Sequence, residues 1–359
     1  MHKTLLAFSL AALLAGCNDA SNDSKAPTPN PGEHAYEFLT QLSSGAEGIG
    51  ARPTGTASET EAANWIADKL TGWGYDVTRQ PFSYQKKGVE MHSQNLIVTL
   101  PGKSDKLIIV GAHYDSTGEQ KGSEGATDNG AGVAAMLAVA ETLKGQTLPY
   151  TVRLVFFGAE ENGINGAKAY AASLSADEVG ATLAMVNNDT IAGGDILYVH
   201  SAHSDVAEYN CADPSRYSHD PKVRDRLLAL SRQGDMTPFE LHPAFPGYPA
   251  GETGAWSDHA SFACLGIPVA YLEATNFTIN GADGYDGYSQ STNPALWDCY
   301  DATTKSACDR ESETQWGKIW HTQYDRLDKL QEIFPGRVQQ QLSDGTTLLI
   351  RFLREPGLE

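Results

Sequence analysis

Three apolar runs in this chain each stop at a short turn that delivers residues of the kind that bind metals. Leu107-Ile108-Ile109-Val110 runs into Gly-Ala-His113-Tyr-Asp115, Val152 to Phe157 into Gly-Ala-Glu160-Glu161, and Leu183 to Val186 into Asn-Asn-Asp189. Continuous apolar runs of this length read as strands buried on both faces, which requires helices above and below the sheet. Helical stretches do separate them. The expected fold is therefore α/β, a central mixed but mostly parallel β-sheet flanked by helices on both faces. Further strands are expected at Tyr75 to Tyr84, Asn95 to Leu100 and Val269 to Leu272. In such a sheet the carboxyl ends of parallel strands open on one crevice, so the three turns should converge there.

Helices follow from spacing. Ala62, Trp65, Ile66 and Leu70 share one face of a segment from Thr56 to Leu70, with Thr56/Glu59 or Ser58/Glu61 available as a capping box. Asn129 to Lys144 is a crossover helix striped by Val133, Met136, Leu137, Ala140 and Leu143, and Asp128 stands at its start. Lys222 to Gln233 is a second amphipathic segment. Asn280 to Thr314, rich in Gly, Asp, Ser, Asn and Thr, reads as a long loop.

The amino terminus carries its own information. Lys3 precedes an apolar stretch from Leu5 to Leu14, and Leu14-Ala15-Gly16-Cys17 resembles a lipobox. Residues 1–16 are read as a lipoprotein signal peptide, Cys17 as the lipid-bearing residue, 17–34 as a polar, proline-rich tether, and 35–359 as one domain. Ordinary signal cleavage with an incidental Cys17 is the alternative. The protein is expected outside the cytoplasm, anchored to a bacterial membrane. Export permits disulfides, and four cysteines follow Cys17. Cys299 with Cys308 is the expected short pair, leaving Cys211 for Cys264, although Cys264 also fits a buried thiol.

Charge narrows the partners. With 26 Lys+Arg against 45 Asp+Glu, a net charge of −19, the chain lacks the basic surface that nucleic acid requires. Taken singly, His113 fits a surface histidine, Asp128 a helix cap and Asp189 a loop cap. Adjacent acids at Glu160-Glu161 are harder to explain without a cation or a proton between them. Acids and histidines without thiols, met at three successive strand ends, point to a pair of zinc ions. On pattern alone, His259 and His321 are equal candidates for a fifth ligand.

The motifs G-A-H-Y-D-S, T-D-N-G-A-G, G-A-E-E-N-G, N-N-D and W-H-T-Q-Y-D, in this order between about Arg52 and Leu330, resemble those of the co-catalytic di-zinc aminopeptidases of the bacterial leucyl aminopeptidase type. Y-L-E-A-T-N-F at 271–277 and F-P-G-R at 334–337 look most like the alkaline-phosphatase isozyme-conversion aminopeptidases. The resemblance implies a zinc-exopeptidase fold of the phosphorylase/hydrolase-like kind and two zinc ions per chain. It implies that His113 and Asp189 hold one ion, Glu161 and His321 the other, and that Asp128 bridges them. Glu160 would be the general base, and Asp115 would orient His113. Peptide or protein amino termini would be the substrates. Rival readings are a carboxypeptidase or a glutaminyl-cyclase-like enzyme of the same fold, or a lipid-anchored binding module with a dead site. A preference for amino-terminal Arg or Lys is suggested by the isozyme-conversion likeness and by Glu252, Asp258, Glu273, Asp283 and Asp286, acids that equally fit solvated loops.

Overall fold

The computed structural model describes residues 30–118 and 122–358. The signal segment, Cys17 and the tether up to residue 29 lie outside the described residues. The first helix, α1 (Pro31–Ser43), begins inside the stretch read as tether: Asn30 caps it by accepting from the Gly32 amide, and Pro31 occupies the first turn, where its missing N–H costs nothing. Residues 31–34 therefore belong to the folded body. The Asn30 and Pro31 assigned to the tether are in fact start signals, and Ala35, Phe38, Leu39 and Leu42 form the buried face behind them.

Helix α2 (Ala57–Gly72) is capped by Thr56, whose hydroxyl accepts from the Glu59 amide. Strands β1 (Thr78–Lys86), β2 (Val89–Leu100) and β3 (Gly102–His113) lead through a tight turn at Ala126–Gly130 into α3 (Ala131–Leu143). Then come β4 (Leu148–Phe157), α4 (Asn165–Ser173), α5 (Ala176–Ala181), β5 (Thr182–Asn188), β6 (Ile196–Ala202) and α6 (Lys222–Ser231). The two-residue β7 (Glu252–Thr253), α7 (His259–Ala263) and β8 (Val269–Thr275) precede the long loop, which holds a small ribbon of β9 (Tyr300–Asp301) and β10 (Ser306–Ala307). Helices α8 (Leu327–Ile333) and α9 (Arg337–Arg354) finish the described chain.

Eight strands form one sheet in the order β1-β2-β4-β3-β5-β8-β6-β7. Its centre, β4-β3-β5-β8, is parallel; β1 and β2 run antiparallel to their neighbours, and β6 runs antiparallel to β8 but parallel to β7. Successive side chains of the central strands feed two different cores. Ile108, Val110, Leu154, Phe156, Ala184 and Val186 pack under α1, α2, α3 and α9, while Ile109, Val155, Phe157 and Met185 pack against α4 and α7. Because both faces are covered, the runs are apolar without alternation.

Helix α3 lies almost wholly buried, and its glycines and alanines allow the approach: a Cβ on Gly132 would stand 2.4 Å from the Asn188 carbonyl oxygen. Strand β6 and helix α9 had no counterpart in the sequence reading. In β6 the apolar residues are interrupted by His200 and Ser201, both buried, and α9 presents Val338, Leu342, Leu349, Phe352 and Leu353 to the core. Both disulfides form, Cys211 with Cys264 and Cys299 with Cys308, so Cys264 is not a free thiol. Among the described residues no helix is long and apolar enough to cross a membrane.

Candidate metal centre

The parallel centre of the sheet carries its strand ends to one edge, and the side chains meet there. His113 closes β3; Glu160 and Glu161 follow β4; Asp189 follows β5. Asp128 sits in the turn before α3, and His321 comes from the loop after the long insertion, in left-handed backbone at φ 58°. Two groups of ligand atoms result. His113, Asp128 and Asp189 form one, and Asp128, Glu161 and His321 the other, with the atoms in each group within 4.8 Å of one another.

Asp128 belongs to both. Its Oδ1 lies 3.2 Å from His113 Nε2, and its Oδ2 lies 2.9 Å from His321 Nε2. Asp189 Oδ1 approaches His113 Nε2 at 3.3 Å, and Glu161 Oε2 approaches His321 Nε2 at 3.4 Å. Three atoms of these residues, His113 Nε2, Asp189 Oδ1 and Glu161 Oε1, are buried without any hydrogen bond. Leaving buried polar atoms unpartnered costs about 1–3 kcal/mol each. Cations at the two groups would satisfy all three, so this donor set fits a pair of divalent ions.

Electrostatics point the same way. Burial drives the Glu161 carboxyl up to about 7, and the Asp128 charge beside it adds to the rise despite His321. Glu160 is raised well above the usual carboxylate range, first by burial and further by Asp258, Asp189 and Glu161, although His113 opposes this. Burial alone would raise Asp128 as well, but the His113 and His321 imidazoles beside its two oxygens hold it far below its ordinary value. His321 shows the reverse balance: burial lowers it, and Asp128 with Glu161 lifts it to about 11. Without a cation the cluster needs protons to coexist.

Glu160 belongs to neither ligand group. Its Oε2 stands 4.0 Å from His113 Nε2, and the residue lines the cleft above the cluster. The Asp115 carboxylate does more than sit 3.6 Å from His113 Nδ1. It accepts the backbone N–H of Glu160 at 3.0 Å and of Glu161 at 3.2 Å, and the Thr54 hydroxyl at 2.6 Å. The Nδ1 atom of His113 faces the Asp115 carbonyl at 3.2 Å. Asp115 thus ties the β3 turn to the β4 turn.

His259 is not brought to the cluster. It is buried, stacked on Tyr271, with Nε2 near the Gly254 carbonyl at 2.9 Å and the Tyr209 hydroxyl at 3.1 Å. Of the five acids considered for a substrate pocket, Glu273 and Asp286 line the cleft with Trp256, Tyr271 and Tyr288. Burial lifts Glu273 to about 8. Glu252 instead accepts the Ser204 amide, Asp283 pairs with Lys318 at 3.5 Å, and Asp258 is fully buried.

Sequence reasoning missed the supports. Ser257 donates to Asp189 Oδ2 at 2.7 Å and accepts from Asn187 Nδ2 at 2.7 Å. Asp325 accepts from the Thr127 amide at 2.6 Å, next to Asp128. The aspartate closing W-H-T-Q-Y-D was visible in the sequence, but no role was attached to it.

The fold is that of the zinc aminopeptidases: a solved structure from Bacillus subtilis, described as a zinc aminopeptidase, superposes with a TM-score of 0.63 at 18% identity, covering 92% of this chain and 97% of that one. The model of peptidase family M28 matches residues 95–344, and the chain belongs to that family. It is a peptide-bond hydrolase. A relative from Escherichia coli (strain K12), the alkaline phosphatase isozyme conversion protein, is 26% identical over 351 residues, with 92% of each chain covered. A glutaminyl cyclase from Porphyromonas gingivalis shares the fold as well, with a TM-score of 0.58 at 18% identity, covering 90% of this chain and 98% of that one.

Proposed function

We propose that this chain is a zinc-dependent exopeptidase that removes amino-terminal residues from peptides or proteins. The observation that carries the reading is Asp128, whose two carboxylate oxygens face two separate histidine–carboxylate groups. His113 and Asp189 would hold one zinc ion, Glu161 and His321 a second, with Asp128 shared. Such a pair supplies an acidified water near neutral pH and a Lewis acid for the scissile carbonyl.

The chain's own groups do the rest. Glu160, in the cleft and outside both groups, takes the proton of the attacking water and returns it to the leaving amine. Asp115 sets the backbone of Glu160 and Glu161 together, so base and ligand keep one spacing. Trp256 and Tyr288, large and partly exposed at the cleft, shield the reacting bond from bulk water. Asp286 lines the same space and favours a cationic first side chain, Arg or Lys, in keeping with the likeness to the isozyme conversion protein, while Glu273, raised to about 8, offers a polar group there more than a charge.

Export follows from the leader and agrees with the two disulfides. The proposed anchor is Cys17, with a tether ending by Asn30. One set of measurements tests the reading: zinc content of active protein, and kcat/KM for Arg, Lys, Leu and amino-blocked substrates. Two ions per chain, loss of rate on chelation with recovery on zinc, and no cleavage of blocked peptides are expected. One ion in fully active protein defeats the paired site. Cyclisation of amino-terminal glutamine without peptide cleavage points to the cyclase reading, and a Leu rate well above Arg rejects the basic preference.

A further inference from the structure

The segment that delivers Asp128 runs from Ser123 to Thr127, and buried charges hold it from two sides. On its carbonyl side is Arg52, fully buried. Its Nη1 donates to the carbonyls of Glu124 at 2.9 Å and Gly50 at 2.7 Å, its Nη2 to that of Gly125 at 2.8 Å, and its Nε to that of Tyr114 at 2.7 Å. Nη1 also reaches the Ser43 hydroxyl at 3.3 Å. On the amide side is Asp325, also fully buried. Its Oδ1 accepts from the Thr127 N–H at 2.6 Å and the Thr127 hydroxyl at 2.8 Å; its Oδ2 accepts from the Ser123 hydroxyl at 3.1 Å and, at 3.4 Å, from the Asp128 N–H. The Asp325 carbonyl in turn accepts from the Glu124 amide at 3.0 Å.

A guanidinium only donates and a carboxylate only accepts, so the pair fixes which way the peptide groups of this segment point. Asp325 also lies four residues beyond His321 and so joins two of the loops that supply ligands. We propose that Asp325 is a positioning residue for Asp128: it locks the Asp128 peptide to the His321 loop so that the two carboxylate oxygens stay divided between the two histidine groups, with Arg52 supporting the same segment from the carbonyl side. This rests on the two-ion reading above. Because Asp128 is shared, loosening it weakens both ions together, whereas loss of Asp189 or Glu161 strikes one group first.

The test uses the full chain and zinc alone as the probe. Asp325→Asn keeps the shape but turns one acceptor into a donor that faces either the Thr127 or the Ser123 side. Chelator competition gives the affinity of each ion, and thermal melts of metal-free and zinc-loaded protein give the increment in Tm due to zinc. Both affinities should fall about 10–100-fold, the range typical for groups that orient metal ligands, and the zinc increment should shrink while the metal-free Tm stays near the parent's. A role in stability alone predicts the opposite, a lower metal-free Tm with both affinities intact, and that result overturns the proposal. So does weakening of one ion only.

Should Asp325→Asn fail to fold, Thr127→Val removes a single hydroxyl bond to Oδ1. It should weaken both ions by a smaller, equal factor, and unchanged affinities for both overturn the proposal. A parent chain that binds fewer than two zinc ions defeats the two-ion reading itself. A parent that binds two, beside variants that bind them equally well, defeats only the role given to Asp325.

Discussion

On the proposed division of roles, replacing Glu160 by Gln should separate proton transfer from metal binding. The side chain keeps its size, and the residue's backbone N–H remains on Asp115 Oδ1 at 3.0 Å, so the turn after β4 holds its shape. Neither ligand group includes Glu160, and its nearest histidine nitrogen is 4.0 Å away, beyond a hydrogen bond. The substitution therefore removes a proton acceptor and leaves the donors of both groups in place. General-base catalysis is worth about 10²–10⁴ in rate, or about 2.7–5.5 kcal/mol of barrier. The expected result is a kcat lower by at least about 10² with a much smaller change in KM, because the lost interaction exists in the transition state and not in substrate binding. Zinc per chain, measured by elemental analysis on the same samples, should match the parent. Glu161→Gln supplies the contrast: it removes a charged member of the second group and should lower zinc content along with rate. Near-normal kcat in Glu160→Gln, or zinc loss equal to that of Glu161→Gln, refutes the division of labour between the two adjacent acids.

Other expectations follow from parts of the molecule away from the cleft. On the chain-entropy model the Cys211–Cys264 link, closing a separation of 53, should contribute about 4 kcal/mol, and Cys299–Cys308, closing 9, about 2.6 kcal/mol. Denaturant titration of the two Cys→Ala pair variants should show the first as the larger loss, and a reversed order argues against the loop-length account. Glu59, buried and bonded to the Gly55 amide and the Ser93 hydroxyl at 2.5 Å each, is raised to about 7, first by burial and then by Asp115. A raised carboxyl favours the folded state below its unfolded value and loses that advantage as pH climbs through the folded one. Measured against the parent by chemical denaturation, Glu59→Gln should therefore gain relative stability between pH 4 and pH 8, by up to about 3 kcal/mol. A flat difference across that range removes Glu59 as the source.

The central strands were legible because burial on both faces leaves a signal no helix-like period can imitate at that length. The residues proposed as ligands could be picked out because the parallel sheet forces strand ends together, which makes the residue after each strand informative. His321 was different. It follows no strand, and its place depends on a loop with no period of its own, so pattern alone could not separate it from His259, and only family likeness favoured it. The end of the tether was set four residues too late because proline and asparagine serve tethers and helix starts alike, and four residues cannot show a period. Strand β6 was missed because His200 and Ser201, polar in sequence, are buried. Asp325 and Arg52 escaped notice because their partners are backbone atoms 198 and 73 positions away, and peptide groups leave no mark in composition.

Helix α1 packs on both α3 and α9, so the beginning and the end of the described chain meet over one helix. The fit is close: a Cβ on Gly32 would lie 2.3 Å from the Ser343 hydroxyl oxygen. During synthesis, α1 emerges early and must wait for about three hundred further residues before α9 arrives to cover it. His321 and Asp325 come only shortly before. Until then the crevice lacks His321 and the Asp325 carboxylate that accepts from the Thr127 amide, so a partly made chain cannot bring all of these groups together. A chain cut short before residue 321 therefore cannot complete the second of the two groups of donor atoms.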